Sequence, residues 1–237
     1  MVRPGRLVLG DDFDDRSGKV NKKVYFPKQV TPWVVRDGVL FGMPNPPEVQ
    51  AARTKYKGKE PRVELRKTPF DFVAAFDLRF RGGTETPVVP FIEFGHHCSR
   101  VKLSGVSGAT YTAAGEMILL GKAEELRLRD GVWYHVLTEA KGDQFVFQVT
   151  ADGFPETATI YAEHEAITES DNRFIGIAGT VGGTVEVDNL RIWEAAAFRP
   201  DWERRRRSIP TLEPTETAKA KKKKKQAEVV DSDSRLR

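Results

Sequence analysis

A single cysteine, Cys98, stands among the 237 residues, so no intrachain disulfide framework is available and the fold must be held by its core. A chain of this length can bury one of sufficient size. Long apolar runs are also missing: within the first ten residues the longest is the three of Leu7, Val8 and Leu9, too few for a signal-peptide core, and no later run approaches a membrane span. Read as written, the chain is expected to be soluble and unexported; a leader lost upstream would reverse the second expectation. Gly-rich phosphate loops, a nucleophile elbow, a Cys-x-x-Cys pair and a dinucleotide fingerprint are absent too, which removes the enzyme classes they mark. The body also lacks an excess of one charge sign. Residues 199–237 hold 13 Lys and Arg against 7 Asp and Glu, while residues 1–198 hold 25 against 27. The basic balance therefore belongs to the tail, and no nucleic-acid partner is expected for the body, which has no aromatic-basic motif of the kinds that read RNA or DNA.

What is present is a succession of short alternating segments. Phe72, Ala74, Phe76, Leu78 and Phe80 share one parity with Asp77, Arg79 and Arg81 on the other, the pattern of a strand with one wet face. Asp37-Gly38 between two apolar runs predicts a tight hairpin, because both turn residues need positive φ. Residues 43–62, with Pro44, Pro46, Pro47 and Pro61, predict a long surface loop. Further strands are expected at Val88–Phe94, His97–Leu103, Glu116–Leu120, Phe174–Ala178 and Val185–Trp193, with a hairpin formed by residues 131–140 and 145–150. With no long amphipathic helix and no fixed-period repeat, the sequence predicts an all-β, two-sheet antiparallel sandwich over residues 1–198. Glu194–Ala197 and Asp201–Arg207 read as one or two helical turns. From Pro210 onward the chain, including Lys221–Lys225, is too polar to bury anything and reads as a disordered, basic C-terminal tail suited to an anionic surface.

The succession Gly10-Asp-Asp-Phe-Asp14, Trp33…Asp37-Gly-Val-Leu40, Glu64-Leu-Arg66…Phe70-Asp-Phe72, Gly131-Val-Trp-Tyr-His135 and Val187-Asp-Asn-Leu-Arg-Ile-Trp193 resembles the concanavalin A-like jelly-roll domains over about residues 7–198. In particular it is similar to the group called domain of unknown function 1080, or 3-keto-disaccharide hydrolase domain, and its planctomycete relatives. The resemblance implies a jelly roll that binds or processes sugars and is commonly exported in bacteria. Where many members of the group carry an Asn-Ser-Gly-like strand facing the cleft, this chain has Pro87-Val-Val-Pro-Phe-Ile-Glu-Phe-Gly-His-His-Cys98.

Candidate chemistry follows from residue type and spacing. Glu186 and Asp188, two apart on a strand, project to one face; the laminarinase-type pattern would continue to a third carboxylate, but the corresponding residue is Arg191, so the pair reads as structural, in a closing strand beside Asp11–Asp15. Asp12 and Asp14 with Asp188 form a candidate calcium site, an ion wanting six to eight oxygens. His96-His97-Cys98 can converge only two side chains on one face, too few for zinc, and reads as a buried thiol with a histidine at the cleft edge. Sugar rings stack on flat side chains, which nominates Trp33, Tyr56, Tyr111 and Tyr161 near loops or strand ends. Trp133 and Trp193, inside strands, are expected in the core, and Trp202 as a staple for the tail.

Three functional readings result. The favoured one is a noncatalytic carbohydrate-binding domain recognising a glycan on its concave sheet with Arg66, Glu93, His97 and a loop aromatic such as Tyr111. The second is a glycoside-processing enzyme with Glu93, His97 or Glu64 in acid/base roles. The third is a noncatalytic interaction module located by its basic tail.

Overall fold

Apolar residues of one parity along Phe72–Arg81 can leave water only by facing a second layer. The computed structural model describes residues 1–15, 17–52, 59–86, 89–95, 99–103, 107–111, 117–122, 128–153, 157–167, 174–211 and 215–216. In chain order the strands are β1 (Val2–Asp11), β2 (Gly18–Lys19), β3 (Tyr25–Pro27), β4 (Trp33–Arg36), β5 (Val39–Gly42), β6 (Arg62–Leu65), β7 (Phe72–Arg81), β8 (Phe91–Phe94), β9 (Ser99–Lys102), β10 (Ser107–Tyr111), β11 (Met117–Lys122), β12 (Trp133–Lys141), β13 (Gln144–Ala151), β14 (Thr157–Glu163), β15 (Ile175–Ala178), β16 (Thr184–Phe198) and β17 (Thr215–Glu216). Two short helices, α1 (Pro47–Ala51) and α2 (Trp202–Arg206), accompany them. None of the described helices is long and apolar enough to cross a membrane.

The strands form two antiparallel sheets of jelly-roll type. In the first, the order is β14-β13-β12-β7-β16-β5-β4-β2, with β1 also paired to β16; in the second it is β17-β11-β10-β9-β8-β15-β6-β3. The inner faces meet in one core. Phe94 of β8 reaches across to Phe72 and Phe145 of the first sheet, at centroid distances of 5.7 and 5.8 Å, and tilted pairs of this kind add to simple burial. The Asp37-Gly38 hairpin forms as expected, with φ of 53° and 73°.

β16 holds the first sheet together. Its first half lies between β7 and β5, its second between β7 and β1, and a bulge separates them where Asp77 faces Asp188 but Ala75 faces Arg191. Asn189, at φ 51°, absorbs the extra residue, a conformation asparagine tolerates better than most. The bulge shifts the inward parity from Val185 and Val187 to Leu190 and Ile192, all four fully buried.

Three expectations are corrected. Glu194–Ala197 is not helical but continues β16, because β1, which the residue pattern did not predict, supplies a ladder as far as Val2 opposite Phe198. Trp33 and Tyr161, nominated as sugar platforms, are buried, Trp33 in the main core and Tyr161 in a smaller cluster with Met1, Val2, Val73, Val146 and Trp202 on the outer face of the first sheet. Trp133, expected in the core, lies on that outer face instead, under the Arg79 guanidinium at 4.3 Å; Trp193 packs against the smaller cluster. Alternation on the strands decides both, since Tyr134, Ile192 and their parity mates take the inward positions.

Trp202 does staple the segment after the sandwich. Its ring meets Tyr161 edge-on at 5.4 Å and its Nε1 donates to Gln144 Oε1 at 3.1 Å. Thr215 and Glu216 then pair with β11 at the edge of the second sheet. Lys221–Lys225 lie outside the described residues.

Candidate functional site

Along β6 the inward residues are Val63 and Leu65, so Arg62 and Glu64 face outward; along β8, Ile92 and Phe94 face inward, and Phe91 and Glu93 outward. The register of the second sheet places Phe26, Glu64, Gly176, Glu93 and Arg100 side by side in one row across five strands. Two of the carboxylates singled out in the sequence are thus brought to one face, on either side of a glycine. Glycine is required there: a Cβ on Gly176 would sit 2.7 Å from Glu93 Cγ.

Glu93 has no exposed surface and lies between two guanidiniums, Arg62 Nη2 donating to its Oε1 and Arg100 Nη2 to its Oε2 at 3.0 Å. Both guanidiniums stack on the Phe91 ring, at 4.9 and 4.0 Å. Arg62 Nε is buried with no hydrogen-bond partner among the described residues. Glu64 is the second anionic centre, 2.7 Å from Lys28 Nζ and 3.7 Å from Arg66 Nε. Arg66 in turn lies flat on Phe26 at 3.5 Å, with nearly half of its side chain exposed. The face carries Lys28, Arg62, Arg66 and Arg100 against Glu64 and Glu93, a set of fixed donors with two embedded acceptors.

Of the other residues expected at this face, His97 lies outside the described residues, as do His96, Cys98 and Tyr56. Tyr111 is the last residue of β10, in the same sheet. Arg62, Arg100, Lys28, Phe26 and Phe91 were not anticipated. The signal for the first was present: Arg62, Glu64 and Arg66 alternate with Val63 and Leu65, which puts three charges on one face of one strand.

The outer face of the first sheet holds the remaining candidates. Glu186 and Asp188 do project together, but Glu186 accepts from Arg79 and Arg81. Asp188 accepts the Asn189 amide at 2.6 Å, and burial, reinforced by the charges of Asp77, Asp14 and Asp12, pushes its carboxyl upward. Asp12 is engaged with Arg191 at 3.7 Å, and Asp11 accepts from the Tyr25 hydroxyl and the Phe13 amide. Among the described residues no three His, Cys, Asp or Glu side chains are grouped so as to hold a metal ion.

Beside them, His135 bridges two carboxylates, Nδ1 to Asp77 at 2.7 Å and Nε2 to Asp152 at 2.8 Å, while Asn189 Nδ2 donates to the other oxygen of Asp77. The bonds to Asp152 and then Asp77 raise the imidazole above its ordinary value. Because the folded state favours the protonated ring, its stabilisation is complete below about pH 6.5 and is lost as the pH rises through the elevated value. His135→Gln is therefore expected to lower the melting temperature at about pH 5.5, by the equivalent of up to about 1 kcal/mol for this half-exposed pair, and to match the unsubstituted protein near pH 9. A deficit unchanged between the two pH values would show that the carboxylates do not act through the imidazole's charge.

No protein-family model matches the sequence, and no curated protein matches it either. Solved structures similar to this chain include a peanut lectin (10% identity, 81% of this chain and 100% of that one, TM-score 0.47), the Lotus tetragonolobus seed lectin (11%, 77% and 97%, 0.47) and a xylan β-1,4-xylosidase from Bacillus halodurans (12%, 78% and 39%, 0.45). The chain thus spans about two-fifths of the length of the xylosidase.

Proposed function

We propose that this domain is a carbohydrate-binding module that presents the outer face of its second sheet to a glycan. The observation that carries the reading is the row Phe26–Glu64–Gly176–Glu93–Arg100 with its stacked guanidiniums. A saccharide offers hydroxyls, each both donor and acceptor, around a ring with apolar faces. Arg66, flat on Phe26 and beside Glu64, supplies a planar surface, edge donors and a neighbouring acceptor. Glu93 serves as a positioning residue that fixes Arg62 and Arg100. The sequence resemblance to sugar-active jelly rolls supports the same class of ligand.

Binding without turnover is favoured over hydrolysis of the 3-keto-disaccharide type. An acid/base residue must come within hydrogen-bond reach of the glycosidic oxygen, whereas Glu93 has no exposed surface and Glu64 almost none. The basic tail, with Lys221–Lys225, would locate such a module at an anionic surface.

The test is the melting temperature of the whole chain against neutral, sulfated and 3-keto oligosaccharides, with and without calcium. A ligand present at about 100 times its Kd adds about 2.7 kcal/mol, a shift of several degrees. A selective shift that Arg66→Ala abolishes is the expected result, with no products on chromatography of the incubated sugars. A flat panel from folded protein would overturn the reading.

A further inference from the structure

A second arginine-lined hollow lies on the opposite side of the molecule, independent of the glycan face. The register of the first sheet sets Trp133, Arg79, Glu186 and Phe41 in one row, with Arg81 opposite Thr184 in the next position along β7 and β16. Glu186, 5% exposed, accepts from Arg79 Nε (2.9 Å) and Nη2 on one oxygen and from Arg81 Nε (2.8 Å) on the other. A single buried carboxylate thereby holds two guanidiniums in fixed orientation, and Trp133 backs the first of them at 4.3 Å. Arg36, from the neighbouring hairpin, lies on Phe41 at 4.0 Å. These three arginines, with Val39 and Phe41 as the apolar lining, enclose a hollow of about 310 Å³, the small end of the range for ligand pockets.

The charges do not cancel. Glu186 and the exposed Asp37, whose Oδ2 is 3.4 Å from Arg36 Nε, oppose three guanidiniums. Arg81, which lines the hollow, commits only its Nε to a described residue, so its terminal nitrogens, on a half-exposed side chain, carry no hydrogen bond to another described residue. A guanidinium fork with its terminal edge open matches a carboxylate or sulfate in paired hydrogen bonds, and a preoriented fork loses little freedom on binding. We infer that this hollow binds a small ring compound bearing one oxyanion, carboxylate or sulfate, with the anion between Arg81 and Arg36 and the ring against Val39 and Phe41.

The test is calorimetric titration of the whole chain, carrying Arg66→Gln so that the glycan face does not contribute, with glucuronate, glucose 6-sulfate and glucose at low ionic strength. One or both charged probes should bind at least tenfold more tightly than glucose, and the tighter of the two identifies the oxyanion. Arg81→Gln and Arg36→Gln, both at exposed positions, should each weaken that probe about tenfold, about 1.4 kcal/mol, whereas Arg204→Gln, exposed on α2 and lining neither site, should leave it unchanged. Added salt should weaken it further, as expected of a half-exposed charge contact. Glucose binding as well as either anion would overturn the inference. So would charged probes that fail to bind, or that bind equally to both pocket variants while these melt like the unsubstituted protein.

Discussion

Glu93→Ala is expected to lower the melting temperature by about 10 °C, a larger effect than any other single charge deletion in the domain. Removing the carboxylate takes away the counter-charge that Arg62 and Arg100 share over Phe91, in a place where both are largely shielded from water. Breaking a buried pair by deleting one partner typically costs about 3–5 kcal/mol, because the remaining charge keeps its desolvation penalty. For a protein of this size each kcal/mol moves the midpoint by roughly 2–4 °C. Glu93→Gln keeps the shape over Gly176 and one acceptor oxygen, so it should lose less. Thermal denaturation of the two variants beside the parent checks the ranking, and an alanine variant that melts within about 2 °C of the parent would mean that the two arginines find water or other partners when Glu93 is gone.

The second large effect belongs to the core. Phe72 is fully buried in the central strand β7 and packs on Phe94 from the facing sheet, so Phe72→Ala opens a cavity between the two layers. The expected loss is about 3–5 kcal/mol. Leu7, about half exposed on β1, is the control: Leu7→Ala should stay within about 0.5 kcal/mol. Urea unfolding separates the two, with a lower midpoint and an unchanged slope for the core variant. Equal midpoints for the two variants would contradict the placement of Phe72 at the junction of the sheets.

Much of the architecture was legible because alternation is a local signal. Phe72 to Phe80 declare their buried face residue by residue, and Asp37-Gly38 declares its turn through backbone sterics alone. Even the β16 bulge leaves a trace, the change of parity from Val185 and Val187 to Leu190 and Ile192. β1 was not legible. Its Pro4 and Gly5 weaken any strand signal, and its exposed middle shows no core face, so only the ladder to residues nearly two hundred positions away makes it a strand. The same ladder overrides the helical leaning of Ala195–Ala197.

The candidate sites divide in the same way. Period-2 spacing alone puts Arg62, Glu64 and Arg66 on one face, and Glu186 with Asp188 on another. That Glu64 and Glu93 share a row through Gly176, that Glu93 joins two arginines from different strands, and that Trp133 faces out while Trp33 faces in, depend on which strands become neighbours and in what register. By itself the sequence determined the all-β class, the main hairpins and the faces of individual strands, since these follow from backbone geometry and the burial of nearby side chains. Strand order, the partners of each buried charge and the hollows between them were decided only by the tertiary structure, because they arise from contacts between segments far apart in the chain, whose pairing no local spacing encodes.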